Sequence, residues 1–292
     1  MDLNLILQLA VSGLLTGALY GLAALGLALA FGVLKVLNVA HGELIMLGGY
    51  ATFVLFDRYD IHPLAALPLV FVILMVVGLV LHLVLFRFVV SLGVEDRIKN
   101  SLLISFGLVL ILQSLATRAF TADERSLNLN LTSWAVGPLR LPPTRVAALV
   151  IAVLAVILLE WALHHTTFGK AIRATSEDWS LALLSGINIQ RVYLATFAIA
   201  AGVAGIAGST VAVVFNISPH IGLFWTLKAL IVVVLAGLGS IRGTVTAGLL
   251  LGLTEGVATV WIGGQYREVV ALVVLLVVLM VKPQGLTGRS HE

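Results

Sequence analysis

The sequence predicts an all-α polytopic membrane protein, a bundle of about seven to nine transmembrane segments, some short or broken, with an amphipathic helix outside the bilayer. Three observations predict it. Of 292 residues, 60% are hydrophobic and 11% charged, and mean hydropathy is +1.12; a soluble domain of this length has nowhere to hide so much apolar surface. The apolar runs are continuous rather than alternating, which excludes a membrane β-barrel. They also fill the chain so completely that no soluble catalytic domain fits between them. We therefore read residues 1–292 as one transmembrane domain.

The segments follow from apolar runs of about 20 residues. The first, Leu5–Leu34, is long enough to demand tilt or a break, and it starts without the basic region of a cleaved signal peptide. The second, Val39–Phe56, is short, polar at its start and rich in glycine. Further segments cover Pro63–Phe86, Ser101–Ala116, Val146–Leu163, Tyr193–Phe215, Phe224–Leu238, Gly243–Ile262 and Glu268–Val281. The second segment and Phe224–Leu238 are short enough for half-crossings. Gly13, Gly17 and Gly21, and again Gly248, Gly252 and Gly256, recur at helical spacing, as do Ala200, Ala204, Gly208 and Ala212. Small residues so placed let helix backbones approach closely in lipid. The Gly-rich second segment and Gly243–Ile262, one in each half, hint at a degenerate internal repeat.

Between two apolar runs lies Thr166–Ile187, TTFGKAIRATSEDWSLALLSGI. Its apolar and small residues keep helical spacing while Lys170, Arg173, Glu177 and Asp178 lie mostly on the other face, and Gly186 is a natural stop. This reads as one amphipathic helix facing water, rooted on the bundle by Phe168, Trp179 and Leu183. Basic residues set the orientation. Lys35, Arg87, Arg97, Lys99, Lys170, Arg173, Arg191, Arg242, Lys282 and Arg289 fall on one side. Arg58, Arg118, Arg125, Arg140, Arg145 and Arg267 fall on the other, with Lys228 left within the membrane. The richer side is cytoplasmic, which puts the amphipathic helix and C-terminus inside and the loop 117–145 outside.

Two polar groups lie at membrane depth. Asn38, His41 and Glu43 sit in VLNVAHGELIMLGGY. His41 and Glu43 are two apart, so on a regular helix they point about 200° apart, and no HExxH zinc site is possible. Either they cap a helix at the boundary, or an unwound turn at Ala40–Gly42 turns them toward a path. Lys228 and Glu255 lie inside apolar runs, where an unpaired charge costs roughly 2.5–3.5 kcal/mol; the cheapest arrangement pairs them, and the pair joins Asn38, His41 and Glu43 as a candidate for the translocation path. The chain has no cysteine, hence no disulfide or thiolate metal site. No GxxxxGK[ST] motif is present; Gly169–Lys170 lacks the earlier glycine and is followed by Ala171. A pump with these features needs its motor from another chain. A secondary transporter coupling through Glu43 and Glu255, and an intramembrane hydrolase on His41 and Glu43, are the rival classes.

Four ordered blocks covering nearly the whole chain carry a resemblance: GALYGLAALGLALAFGVLKVLNVAHGELIMLGGY at Gly17–Tyr50, FGKAIRATSEDWSLALLSGINIQRVYLATFAIAAGVAGIAG at Phe168–Gly208, SPHIGLFWTLKALIVVVLAGLGSIRGTVTAGLLLGLTE at Ser218–Glu255, and KPQGLTG at Lys282–Gly288. The sequence resembles the branched-chain amino acid ABC transporter permeases of the H type. Ala236–Gly237 stands where that family often has paired glycines. Urea-type permeases share the blocks, so urea or a short amide is the alternative cargo. The resemblance implies a permease subunit that is not itself an enzyme, in an inner-membrane importer. It implies two ATP-binding partner subunits carrying ATP and Mg, a homologous second permease chain, a periplasmic binding protein that delivers the amino acid, and surrounding membrane lipid. No nucleic-acid partner and no directly bound cofactor or metal are expected. It further implies that Lys170, Arg173, Ala174, Glu177 and Asp178 dock into a groove of the ATPase subunit.

Overall fold

The computed structural model describes residues 3–127, 129 and 132–287; Arg289 and Gly288 lie outside them. The helices are α1 (Leu3–Leu34), α2 (His41–Tyr59), α3 (Pro63–Leu81), which continues through a π turn at His82–Phe86 into α4 (Arg87–Val89), and α5 (Val94–Phe120). An antiparallel hairpin, β1 (Trp134–Val136) and β2 (Leu139–Leu141), precedes α6 (Pro143–His165), α7 (Thr167–Glu177) and α8 (Trp179–Leu184). The chain ends with α9 (Ile189–Val214), α10 (Ile221–Ala236), α11 (Ile241–Ile262) and α12 (Arg267–Val281). Among the described residues, seven helical stretches are long and apolar enough to cross a membrane, and α10 is a shorter apolar helix. This is an all-α polytopic membrane protein.

Helix starts are chemically marked. His62 accepts from Leu64 N with Pro63 in the first turn; Thr166, Asn188 and Ser240 accept from the backbones of Gly169, Arg191 and Gly243. Each satisfies an amide that the first helical turn leaves unpaired.

The core is α1 wrapped by α9, α10 and α11. The two glycine stripes read from the sequence interlock with each other: Gly13 and Gly17 of α1 pack on the backbone of Gly252 and Gly248 of α11, and Gly256 reaches Leu9 and Gly13. No side chain fits between these antiparallel backbones. Van der Waals contact over such a seam holds helices together where lipid removes the hydrophobic drive. On α9, Ala200 and Gly208 face Gly26 of α1 and Ile45 of α2.

One expectation narrows and two change. α1 is unbroken over 32 residues, about 48 Å at ~1.5 Å per residue, so its length is taken up without a break. Within 117–145, expected as a loop, the described residues are more ordered: α5 runs on to Phe120, Arg125 pairs with Ile217 across two backbone bonds, and α6 starts at Pro143. The amphipathic stretch is two helices, because Asp178 ends α7 in an extended conformation and caps α8.

Candidate functional site

The first polar group is built around a break. After α1 the chain leaves helical geometry at Lys35 (φ 54°) and does not re-enter it until His41. His41 Nε2 donates to the carbonyl of Ala23, 2.9 Å away. That places the start of α2 eleven residues, about 16 Å, short of the end of α1. Residues 35–40 therefore fold back into the bundle. Backbone polar groups buried there need partners, and side chains from other helices supply them. Ser101 accepts from Leu37 N (3.0 Å), Ser105 from Val39 N (3.1 Å), and Thr226 accepts from Gly42 N (2.9 Å) while donating to Val39 O (2.8 Å). Asn38 Oδ1 takes Ala40 N at 3.0 Å.

The structure corrects where the chain unwinds and what Asn38 caps. The unwound stretch exists but lies at Lys35–Ala40, with Gly42 already helical. Asn38 caps the turn; the helix N-cap is Ala40, which has no capping side chain. Asn38, His41 and Glu43 are all buried. Glu43 presses against Gly222 in the first turn of α10, and its Oε2 has no hydrogen-bond partner. Gly42 lies against the Gly222 carbonyl so closely that only hydrogen fits. Two helices that both begin after non-helical stretches, α2 and α10, therefore meet first turn to first turn.

The second group lies on another face of α10. Lys228 and Thr226 are two residues apart and so project about 200° from one another; α10 carries one polar group on each side. Lys228 Nζ is 2.6 Å from Glu255 Oε1 and 3.1 Å from Glu268 Oε1, and Tyr20 donates to Glu255 Oε2 at 3.0 Å. Lys228 also faces the rings of Tyr20 and Phe224. Glu255 borders a cavity of about 20 Å³ shared with Tyr20, Arg145 and Arg267, room for about one water. The two sequence-read groups do not merge into one site.

Tyr20, Glu268, Thr226, Ser101 and Ser105 escaped the sequence reading. Glu268 had a signal, an acid in the first turn of a helix otherwise apolar to Val281. The serines and Thr226 had none, since lone hydroxyls in apolar helices ordinarily bond their own preceding turn.

The third element is α7–α8. Thr166 caps α7, and Asp178 Oδ1 accepts from Ser180 N (2.8 Å), Leu181 N (3.1 Å) and Ser180 Oγ (2.6 Å). These bonds, the Ser180 hydroxyl foremost, hold its carboxyl below the usual aspartate range. Phe168, Trp179 and Leu183, expected to root the element, are exposed. The roots are Gly169, Ile172 and Thr175 of α7 and Ala182 of α8. Gly169 takes that place because its backbone lies directly on Ala162 and Leu163 of α6. Lys170, Arg173, Glu177 and Asp178 are exposed and Ala174 is half-buried. Lys35, Arg173 and Arg242 line one cavity, while Arg140, Arg145 and Arg267 gather at the opposite end of α1, as their division between two sides requires.

With this geometry in view, the pattern describing the branched-chain amino acid transport system permease component matches residues 9–279. The chain belongs to that family. The permease is 29% identical over 304 residues to the high-affinity branched-chain amino acid transport system permease LivH of Escherichia coli K12, covering 98% of this chain and 96% of the relative. It is 29% identical to BraD of Pseudomonas aeruginosa, a permease of the same description, with the same coverage. A shorter likeness, 32% over 127 residues and 41% of this chain, joins it to the E. coli ribose import permease, covering 40% of that relative. No solved structure matches. The permease is a multi-pass inner-membrane transport subunit of the ABC-importer type.

Proposed function

We propose that this permease moves a branched-chain amino acid into the cell as one of two homologous membrane chains, powered by two ATP-binding subunits and supplied by an external binding protein. Full-length likeness to relatives described as branched-chain amino acid permeases supports the cargo over urea. The observation that carries the motor reading is α8. Trp179, Leu181, Leu183 and Leu184 are exposed, Leu184 by 83%, on the basic-rich end that the positive-inside rule places in the cytoplasm. Apolar side chains clustered on a water-facing helix mark a partner's seat.

In this reading α7 and α8 form a bent plug for the ATPase subunit, with Lys170, Arg173, Ala174, Glu177 and Asp178 around its polar side. ATP and Mg act on those partners and not on this chain. Motion of the plug reaches the bundle through Gly169, seated on α6, and the buried Ile172 and Thr175 beside it. The folded-back 35–40 stretch and the paired first turns of α2 and α10 are the elements we assign to the path, with Asn38, His41 and Glu43 near it. Lys228 and Glu255 stabilise α10 from its other side.

Co-purification in mild detergent tests the assembly. ATP-binding subunits and a second permease should accompany the wild-type chain, and the ATPases should be lost from Leu181→Asp/Leu184→Asp. Retention of the ATPases in that variant removes α8 from the interface.

A further inference from the structure

Beside α7 lies a cavity of about 670 Å³ at the end of the bundle where α1, α6, α7 and α11 converge. Lys35, Arg173 and Arg242 face it, with Glu160 as the carboxylate among the lining residues. Glu160 is taken by Arg242, whose Nε donates to its Oε1. Arg173 Nε is spent on the Leu163 carbonyl at 3.1 Å. Lys35 Nζ lies over the Phe31 ring and makes no salt bridge among the described residues, and half-burial pushes its ammonium below the ordinary lysine range. Three cations therefore converge with one carboxylate to answer them. The N-terminus of the 22-residue helix α11, with Ser240, adds a positive dipole end to the same wall.

The surroundings tell what kind of anion suits this cavity. Toward the membrane, the helix face that carries Glu160 continues through Ile157 and Val153, and the face that carries Arg242 continues through Thr246 to Leu250. Ile157, Val153 and Leu250 are exposed. Leu238, also exposed, lines the cavity, and exposed Trp161 follows Glu160 on α6; tryptophan favours the membrane–water boundary. A cavity that sets three cations among largely apolar walls thus adjoins two exposed apolar helix faces. We propose that this cavity binds the phosphate headgroup of an anionic phospholipid from the cytoplasmic leaflet, with its acyl chains along α6 and α11.

A lipid held there touches α7 through Arg173, so leaflet charge and the plug are physically joined. This inference needs the membrane location of the chain and does not need its cargo or its motor.

The test is thermal unfolding of the purified permease in bicelles of phosphatidylcholine, titrated with phosphatidylglycerol. Phosphatidylglycerol should raise the unfolding midpoint saturably, and more phosphatidylcholine should not. Each cation against an anionic headgroup is worth about fivefold in affinity, so Lys35→Gln should need about fivefold more phosphatidylglycerol for half the shift, and Lys35→Gln/Arg242→Gln more still. Lys35→Arg should behave as wild type, which separates charge from folding. An unchanged titration in Lys35→Gln and in Arg242→Gln overturns the site. An equal shift from inorganic phosphate in pure phosphatidylcholine overturns the lipid assignment and leaves a free-anion site.

Discussion

Lys228 Nζ lies 2.6 Å from Glu255 Oε1, joining α10 to α11 where both side chains are buried. Glu268, the second carboxylate on Lys228, is half exposed at the start of α12, so one cation clamps three helices. Removing one partner of a buried pair strands the other, at about 3–5 kcal/mol. Lys228→Met should therefore lower the thermal midpoint in detergent far more than Glu255→Gln, which leaves Lys228 its second carboxylate. Lys228→Met/Glu255→Gln should recover much of the loss. Additive losses in the double variant would deny that the pair is coupled.

The contact between α2 and α10 is set by a missing methyl group. A Cβ on Gly42 would overlap the Gly222 carbonyl, whereas one on Gly107 of α5 would meet nothing within 4 Å. Gly42→Ala should cost about 3 kcal/mol, the upper end for overpacking, since backbone cannot give way as a side chain can. Gly107→Ala should be neutral or stabilise by up to about 1 kcal/mol. Unfolding midpoints of the two variants compared with wild type check the contrast.

Glu177 and Asp178 act differently despite being neighbours. Glu177→Arg should preserve the folded permease and abolish ATP-driven uptake, because only its outward charge changes. Asp178→Arg should also unravel the first turn of α8, so its loss of uptake would be ambiguous. Asp178→Asn keeps a capping oxygen and should retain uptake. Uptake of radiolabelled leucine into proteoliposomes holding the whole complex distinguishes the three.

The Asp178 cap also has a pH signature. Its folded carboxyl lies below the ordinary value of 3.8, so the stabilisation it gives is complete above that value and fades as pH falls through the lower folded one. Hydrogen-exchange protection of the Ser180 and Leu181 amides should stay constant from about pH 8 to about pH 5 once corrected for intrinsic rates. A fall in protection within that range would contradict the assignment.

The fold was largely legible because apolar length, glycine spacing and basic bias are local or additive signals. The seam of Gly13 and Gly17 on Gly248 and Gly252 was visible as two stripes, but which helix each stripe meets is a tertiary fact. The Lys228–Glu255 pair followed from the cost of burying either charge alone. The split at Asp178 was hidden by apolar spacing that runs straight across it, although an aspartate two residues before a serine already offers a cap. The buried turn at Lys35–Ala40 depends on Ser101, Ser105 and Thr226, hydroxyls from distant helices that no pattern in the sequence connects to it.

ATP-driven uptake by the reconstituted complex tests most directly whether this chain is a passage without a motor. Proteoliposomes carrying the chain with its co-purified ATP-binding subunits, the external binding protein and internal ATP should accumulate leucine, and Glu177→Arg should not. Leucine accumulation by the chain alone, driven by an ion gradient without ATP, would contradict the account.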